Sequence, residues 1–173
     1  LNNITFGSSI TKIGSFAFYD RSSLKKVSIP SSVTSLGSCA FRGCQISELE
    51  CDPVQLRLGS IIDNKSALTK LIISSKSTTF KCLELYYFDN LSEIVIRSPV
   101  TEIGDDAFCG CSNLKSISLP SSVRTIGRNA FQSCSSLQNL LIPLHVTNIG
   151  YAVFALCDSL KEIDIPSSVR SIE

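Results

Sequence analysis

Methionine and tryptophan are absent from these 173 residues, and histidine occurs once, at His145. A Cys–His or Ser–His catalytic pair would have to use that one imidazole. Its place in a repeated turn points instead to a solvated corner residue. Charge surplus is missing too: 16 Lys and Arg stand against 15 Asp and Glu, a net of +1. Without a basic excess or a Lys/Arg cluster, the chain lacks the electrostatic footprint of nucleic-acid or anionic-lipid binding. No apolar run approaches the ~20 residues of a membrane-spanning helix, so no direct membrane insertion is expected. The motifs G-x-x-x-x-G-K-[ST], H-E-x-x-H and G-x-G-x-x-G are all absent. No initiator Met and no charged-then-apolar leader opens the sequence, so both ends read as cuts in a longer protein.

What is present is a soluble composition, 43% hydrophobic and 18% charged, and a length that supports one domain with a sizeable core. The same phrase recurs along it. "LKKVSIP" begins at Leu24, "LKSISLP" at Leu114, "LQNLLIP" at Leu137 and "LKEIDIP" at Leu160. Extending the period backwards gives units that begin at residues 1, 24, 46, 68, 91, 114, 137 and 160, with steps of 22 or 23 and the last unit truncated at Glu173. One solenoid domain over 1–173 follows, because a unit of this size cannot bury its own apolar side and must stack on its neighbours.

Each position has a physical reading. Leu24, Val27 and Ile29 are the inward residues of a strand, alternating with Lys26 and Ser28. Pro30 ends that strand, having no N–H to give a ladder. After "SS" comes a second apolar pair, Val33 and Leu36. Then follows a recurring glycine (Gly14, Gly37, Gly104, Gly127, Gly150), read as a corner needing a backbone angle that other residues avoid. The pairs Ala17/Phe18, Ala40/Phe41, Ala107/Phe108, Ala130/Phe131 and Val153/Phe154 are expected to face inward from a short helical turn. The fold expected is an α/β repeat solenoid: one parallel sheet, with short strands and helical turns on its other side.

The pattern "LKxIxIPSSVxxIGxxAFxxCxSL" resembles the BspA-type leucine-rich repeat, a family of surface proteins from bacteria and parasitic protists. The resemblance runs the length of the chain and is close in units 1, 2 and 5–8. It implies right-handed leucine-rich coils, roles in adhesion or recognition, and no catalytic residues. Units 46–67 and 68–90 depart from it, losing the glycine and the "AF" pair. There Phe80 falls in the second apolar slot, Leu85 in the Phe slot and Phe88 in the Cys slot.

Cys44, Cys111, Cys134 and Cys157 each follow the repeat Phe by three residues. This column reads most simply as buried free thiols acting as small hydrophobes. A disulfide would need side-chain directions that stacked coils rarely provide. "CGC" at Cys109–Cys111 lacks the usual C-x₂-C form and a nearby His, so no metal is expected. Cys51 takes an inward strand slot, while Cys39 and Cys82 match no column. Asp105 and Asp106 read as caps of the turn that follows them. The sequons at Asn3, Asn64 and Asn90 are about as many as chance gives in a chain so rich in Ser and Thr.

The outward strand positions form two columns. The third positions read Asn3, Lys26, Glu48, Lys70, Glu93, Ser116, Asn139, Glu162. The fifth read Thr5, Ser28, Glu50, Ile72, Val95, Ser118, Leu141, Asp164. Ile72 and Val95 are adjacent, apolar and outward, rimmed by Glu48, Glu50, Lys70, Glu93 and Arg97. That is the composition of a small recognition patch. Tyr86 and Tyr87 of "ELYYF" are expected on the turn side nearby. The function expected is a non-enzymatic recognition or adhesion module without cofactor. It would bind a protein or glycan partner, such as a host or extracellular-matrix molecule, at the cell surface or after secretion. The alternative is a cytoplasmic scaffold on the same fold.

Overall fold

The computed structural model describes residues 1–52, 56, 58–76, 78–80 and 88–173, with the backbone alone at 59, 60, 79 and 80. The chain winds into a parallel β-solenoid of about seven turns. Its first strands are β1 (Asn3–Thr5), β2 (Lys12–Ile13), β3 (Lys26–Ser28), β4 (Ser35–Leu36) and β5 (Glu48–Cys51). Next come β6 (Lys70–Ile73), β7 (Thr79–Phe80), β8 (Glu93–Ile96), β9 (Glu102–Ile103) and β10 (Ser116–Ser118). The last are β11 (Thr125–Ile126), β12 (Asn139–Leu141), β13 (Asn148–Ile149) and β14 (Ser171–Ile172).

Among the described residues, one sheet has seven strands in the order β1-β3-β5-β6-β8-β10-β12. Every neighbouring pair is parallel and one coil apart, so that Asn3 pairs with Lys26, Glu48 with Lys70, and Ser116 with Asn139. The short strands behind it form two ladders, β2-β4 and β7-β9-β11-β13-β14. Among the described residues between Leu36 and Thr79 that second layer has no strand. The coil there carries instead a one-turn helix α1 (Leu58–Ile61) and a 3₁₀ turn (Lys65–Ala67). Phe80 does hold the second apolar slot, in register with Ile103. Phe88 is fully buried and its carbonyl accepts from Leu91 N–H, as the Cys111 carbonyl accepts from Leu114. Leu85 lies outside the described residues.

The core is built from the repeat columns: Leu24, Val27, Ile29 and Val33 with their described counterparts in later coils, buried except for the half-buried Ile96 and the last unit, where Leu160, Ile163 and Val169 are half-buried and Ile165 is exposed. Ring stacking adds a column along the axis. Phe18 and Phe41 stack at 5.2 Å, Phe108 and Phe131 at 5.3 Å, and Phe131 and Phe154 at 6.4 Å between centroids. The Pro-Ser-Ser-Val corners are tight turns in which Val33, Val123 and Val169 N–H donate to the carbonyls of Pro30, Pro120 and Pro166. Ser122 and Ser168 hydroxyls donate one coil back, to the Val100 and Val146 carbonyls, so the serines of these corners knit coils together.

Four sequence expectations need correction. The "AF" segments are not helical turns, and the α/β description falls with them. Phe16, Cys39, Asp106, Asn129 and Ala152 all have φ between 52 and 57°, which no right-handed helix contains. Instead, alternate N–H groups cross to the next coil: Phe16 to the Ser38 carbonyl, Phe18 to Ala40, Asp20 to Arg42. The corner glycines, too, have a different cause. Among Gly37, Gly127 and Gly150 none has positive φ; a Cβ would instead strike the previous coil, at 2.6 Å from Asp105 N for Gly127 and 2.8 Å from Arg128 N for Gly150. Close stacking of corner on corner demands glycine, and the left-handed residues lie two positions later.

Asp105 and Asp106 do not cap their own turn. Asp105 accepts from Arg128 N–H at 2.7 Å and Asp106 from the Asn129 amide at 3.0 Å, both on the following coil. Finally, the last unit forms no strand at 162–164.

Candidate functional site

The outer face of the seven-stranded sheet carries the residues singled out from the sequence. Register places Glu48, Lys70 and Glu93 side by side in one row, and Glu50, Ile72 and Val95 in the next. Including Lys26, the first row alternates in sign from coil to coil. Its charges pair off, Lys26 with Glu48 at 2.8 Å and Lys70 with Glu93 at 2.7 Å. The Lys26 ammonium hydrogen-bonded to Glu48 holds that carboxyl below its usual range. Glu93 acts in the opposite sense on Lys70 and raises it.

Glu50 is the hub of the second row. Its carboxylate accepts from Ser74 Oγ at 2.8 Å, from Ser28 Oγ at 3.2 Å and from Arg97 Nη1 at 2.8 Å. Four successive coils thus meet at one side chain, and the Arg97 bridge spans the coil that carries Ile72. Ile72 points outward, yet only 5% of it is exposed. It is also no part of the main core. Val95 beside it is half-buried and Glu93 and Arg97 are exposed. The residues read from the sequence as a patch therefore lie side by side on this face, and Ile72 at their centre is nearly covered.

Shallow depressions flank this hub. One, of about 330 Å³, is lined by Asn3, Thr5, Lys26, Ser28, Glu48 and Glu50. The other, of about 510 Å³, runs beside Val95, Arg97, Pro99, Ser118 and Pro120. Sequence reasoning placed Lys26, Ser28 and Leu141 in the outward columns but left them out of the patch, and it passed over Ser74. Leu141, in the same column as Ile72, is 77% exposed, and Leu144 is 78% exposed. Tyr86 and Tyr87 lie outside the described residues. His145 is an exposed turn residue.

The cysteine column is buried, and all seven cysteines among the described residues are free; Cys82 lies outside them. The Cys44, Cys134 and Cys157 thiols donate to the carbonyls of Phe18, Phe108 and Phe131, at 3.1–3.3 Å, one coil back. Burial pushes the Cys111 thiol up to about 12 and raises those of Cys44, Cys51, Cys134 and Cys157 as well. These are neutral thiols, poor nucleophiles and poor metal ligands.

The model of the BspA type leucine rich repeat region matches residues 1–82 and 83–173, in six copies. No match was found among curated proteins. Among solved structures, a leucine-rich repeat protein from Bacteroides ovatus is 25% identical with a TM-score of 0.65, over 97% of this chain and 50% of that one. A leucine-rich repeat protein from Eubacterium ventriosum is 23% identical with a TM-score of 0.55, over 97% of this chain and 40% of that one. The T. pallidum leucine rich repeat protein TpLRR is 22% identical with a TM-score of 0.55, over 92% of this chain and 78% of that one. The last two show the fold alone. The chain spans about half the length of the Bacteroides protein and less of the Eubacterium one.

Proposed function

The chain belongs to the BspA-type leucine-rich repeat family, and on that premise we propose that it is a non-enzymatic recognition module, binding a protein or glycan through the outer face of its long sheet. The family and fold are those of repeat proteins without catalytic machinery. The observation that carries the reading is the Glu50–Arg97 hub between two open depressions on the outer face of the long sheet. A parallel sheet is ordinarily covered on both faces. Here the outer face carries mostly charged and small polar side chains, with Val95 and Leu141 as the accessible apolar ones. Its opposite charges are paired within the face, so selectivity would come from shape and hydrogen bonding rather than from net attraction.

In this reading the protein works at the cell surface or after secretion, where family members are usually found, and its partner is a host or extracellular-matrix protein or glycan. A cytoplasmic scaffold is the second reading. The free thiols favour it, since oxidising compartments pair cysteines. Arrays of immobilised matrix proteins and glycans, probed with the folded chain and with its Arg97→Glu variant, test the proposal. Binding lost in the variant supports the sheet face. Equal binding by both moves the site elsewhere.

A further inference from the structure

The regular coils share a second hydrogen-bond ladder on the turn side, and one rung of it is missing. In the turns at 16–20, 106–110 and 129–133, three alternate N–H groups donate to the next coil. Asp106, Phe108 and Gly110 donate to the carbonyls of Arg128, Ala130 and Gln132, and Asn129, Phe131 and Ser133 donate to Tyr151, Val153 and Ala155. The equivalent groups of the second turn are Cys39, Phe41 and Gly43. Among the described residues they find no backbone acceptor.

The next coil explains the loss. Where its carbonyls should stand, the chain has turned into α1 and the 3₁₀ turn. Ile62 N–H is tied back to the Leu58 carbonyl, and the Asn64 carbonyl accepts from Ala67 N–H. A gap of about 340 Å³ remains, bordered by Leu36, Ser38, Cys39, Arg42, Ile61 and Asp63. Cys39 and Gly43 are half-exposed, whereas Phe41 is only 1% exposed, so its N–H is a buried donor with no acceptor among the described residues. Buried N–H groups left orphaned are rare in native proteins. The turn also keeps the geometry of its paired counterparts. Cys39 and Gly43 have φ of 57 and 79°, against 56 and 78° at Asp106 and Gly110.

We propose that this gap is a backbone-addition site, taking an extended peptide segment of a partner protein whose alternate carbonyls accept from Cys39, Phe41 and Gly43. The chemistry is that of strand addition at an open edge: main-chain hydrogen bonds supply the affinity and lining side chains the selectivity. Entry begins at the Cys39 lip. Completion at Phe41 displaces α1, a single helical turn held chiefly by packing. The site lies on the turn side and is independent of the sheet-face hub.

Amide hydrogen exchange on the whole chain tests it. The probe is a synthetic heptapeptide, Gly-Arg-Asn-Ala-Phe-Gln-Ser, which copies residues 127–133 and so carries the three carbonyls that serve the fifth turn. In the free protein the amides of Cys39, Phe41 and Gly43 exchange faster than those of Asp106, Phe108 and Gly110. Peptide at about ten times its Kd slows them about tenfold, by mass action. A reduced-amide version lacking the three carbonyls leaves them unchanged. Full protection in the free protein would overturn the proposal. So would no slowing with millimolar peptide, equal slowing by the reduced-amide version, or the same slowing by inorganic phosphate alone, which would make the gap an anion site.

Discussion

Arg97 reaches across two coils to place its guanidinium 2.8 Å from Glu50, and the outward Ile72 belongs to the coil that this bridge spans. Removing the arginine therefore does two separable things. It deletes an exposed ion pair, worth about 0–1 kcal/mol, and it opens an apolar side chain to solvent. Arg97→Ala should leave the urea midpoint nearly unchanged while altering partner affinity. A loss of stability well beyond that range would mean that the bridge organises the sheet.

Ile72→Asp should behave differently. At 5% exposure the new carboxylate would be buried beside Glu50, and the fold should lose about 1–3 kcal/mol as an imperfectly paired polar group is buried. Val95→Asp, on a half-buried neighbour, should cost less. Denaturation of the two single variants side by side gives the comparison, and equal losses would show that Ile72 is not lidded.

Phe131 sits fully buried between the rings of Phe108 and Phe154. Phe131→Ala should cost about 3–5 kcal/mol, the transfer term plus the cavity left in a shared column. Chemical denaturation reads it directly. A loss under about 1 kcal/mol would contradict this packing.

Glycine should matter by position. Gly127→Ala drives a Cβ to 2.6 Å from the Asp105 nitrogen and should cost about 1–3 kcal/mol, as overpacking does. A Cβ at Gly14 meets nothing within 4 Å, so Gly14→Ala should be tolerated. Thermal melts of the pair separate close stacking from backbone freedom, since a φ requirement would penalise both.

The thiols give a pH prediction. Burial raises Cys111 from 9.0 to about 12. A folded-state pKa above the unfolded one adds stability that is complete below the unfolded value and is lost as pH rises through the folded value. Stability should thus decline from about pH 9 upward. Cys111→Ala should reduce the slope of that decline. In the native protein near neutral pH, Cys39 should alkylate first, being half-exposed, and Cys44, Cys111, Cys134 and Cys157 only after denaturation. Linked Cys111–Cys134 peptides in a mass spectrum would refute the free-thiol column.

Much of this was legible in the sequence because each coil repeats its neighbour's inward residues. The Leu24, Val27, Ile29 and Phe41 columns follow from spacing alone. The turn geometry did not, because "AF" next to polar residues looks helical locally, while bonds to the next coil hold Phe16 and Asn129 in the left-handed region. Gly127 misled for the same reason: its constraint comes from Asp105, one coil back, which a local reading cannot see. Ile72 was correctly placed outward but not as covered, since the group whose bridge spans its coil, Arg97, lies 25 residues further along the chain. The break at α1 showed only as a lost motif, which marks where stacking changes and not what replaces it.

Nearly every bond between coils joins residues 22–26 apart in sequence. Loop-closure entropy is therefore the same at each rung and does not grow along the molecule. The chain should behave as a one-dimensional array in which order spreads from coil to coil by nearest-neighbour coupling. In such an array the weakest coupling sets where cooperativity divides. Among the described residues the second ladder has no strand between Leu36 and Thr79, which puts that seam in the third coil. Pulled from its two ends, it should yield in two force events rather than one.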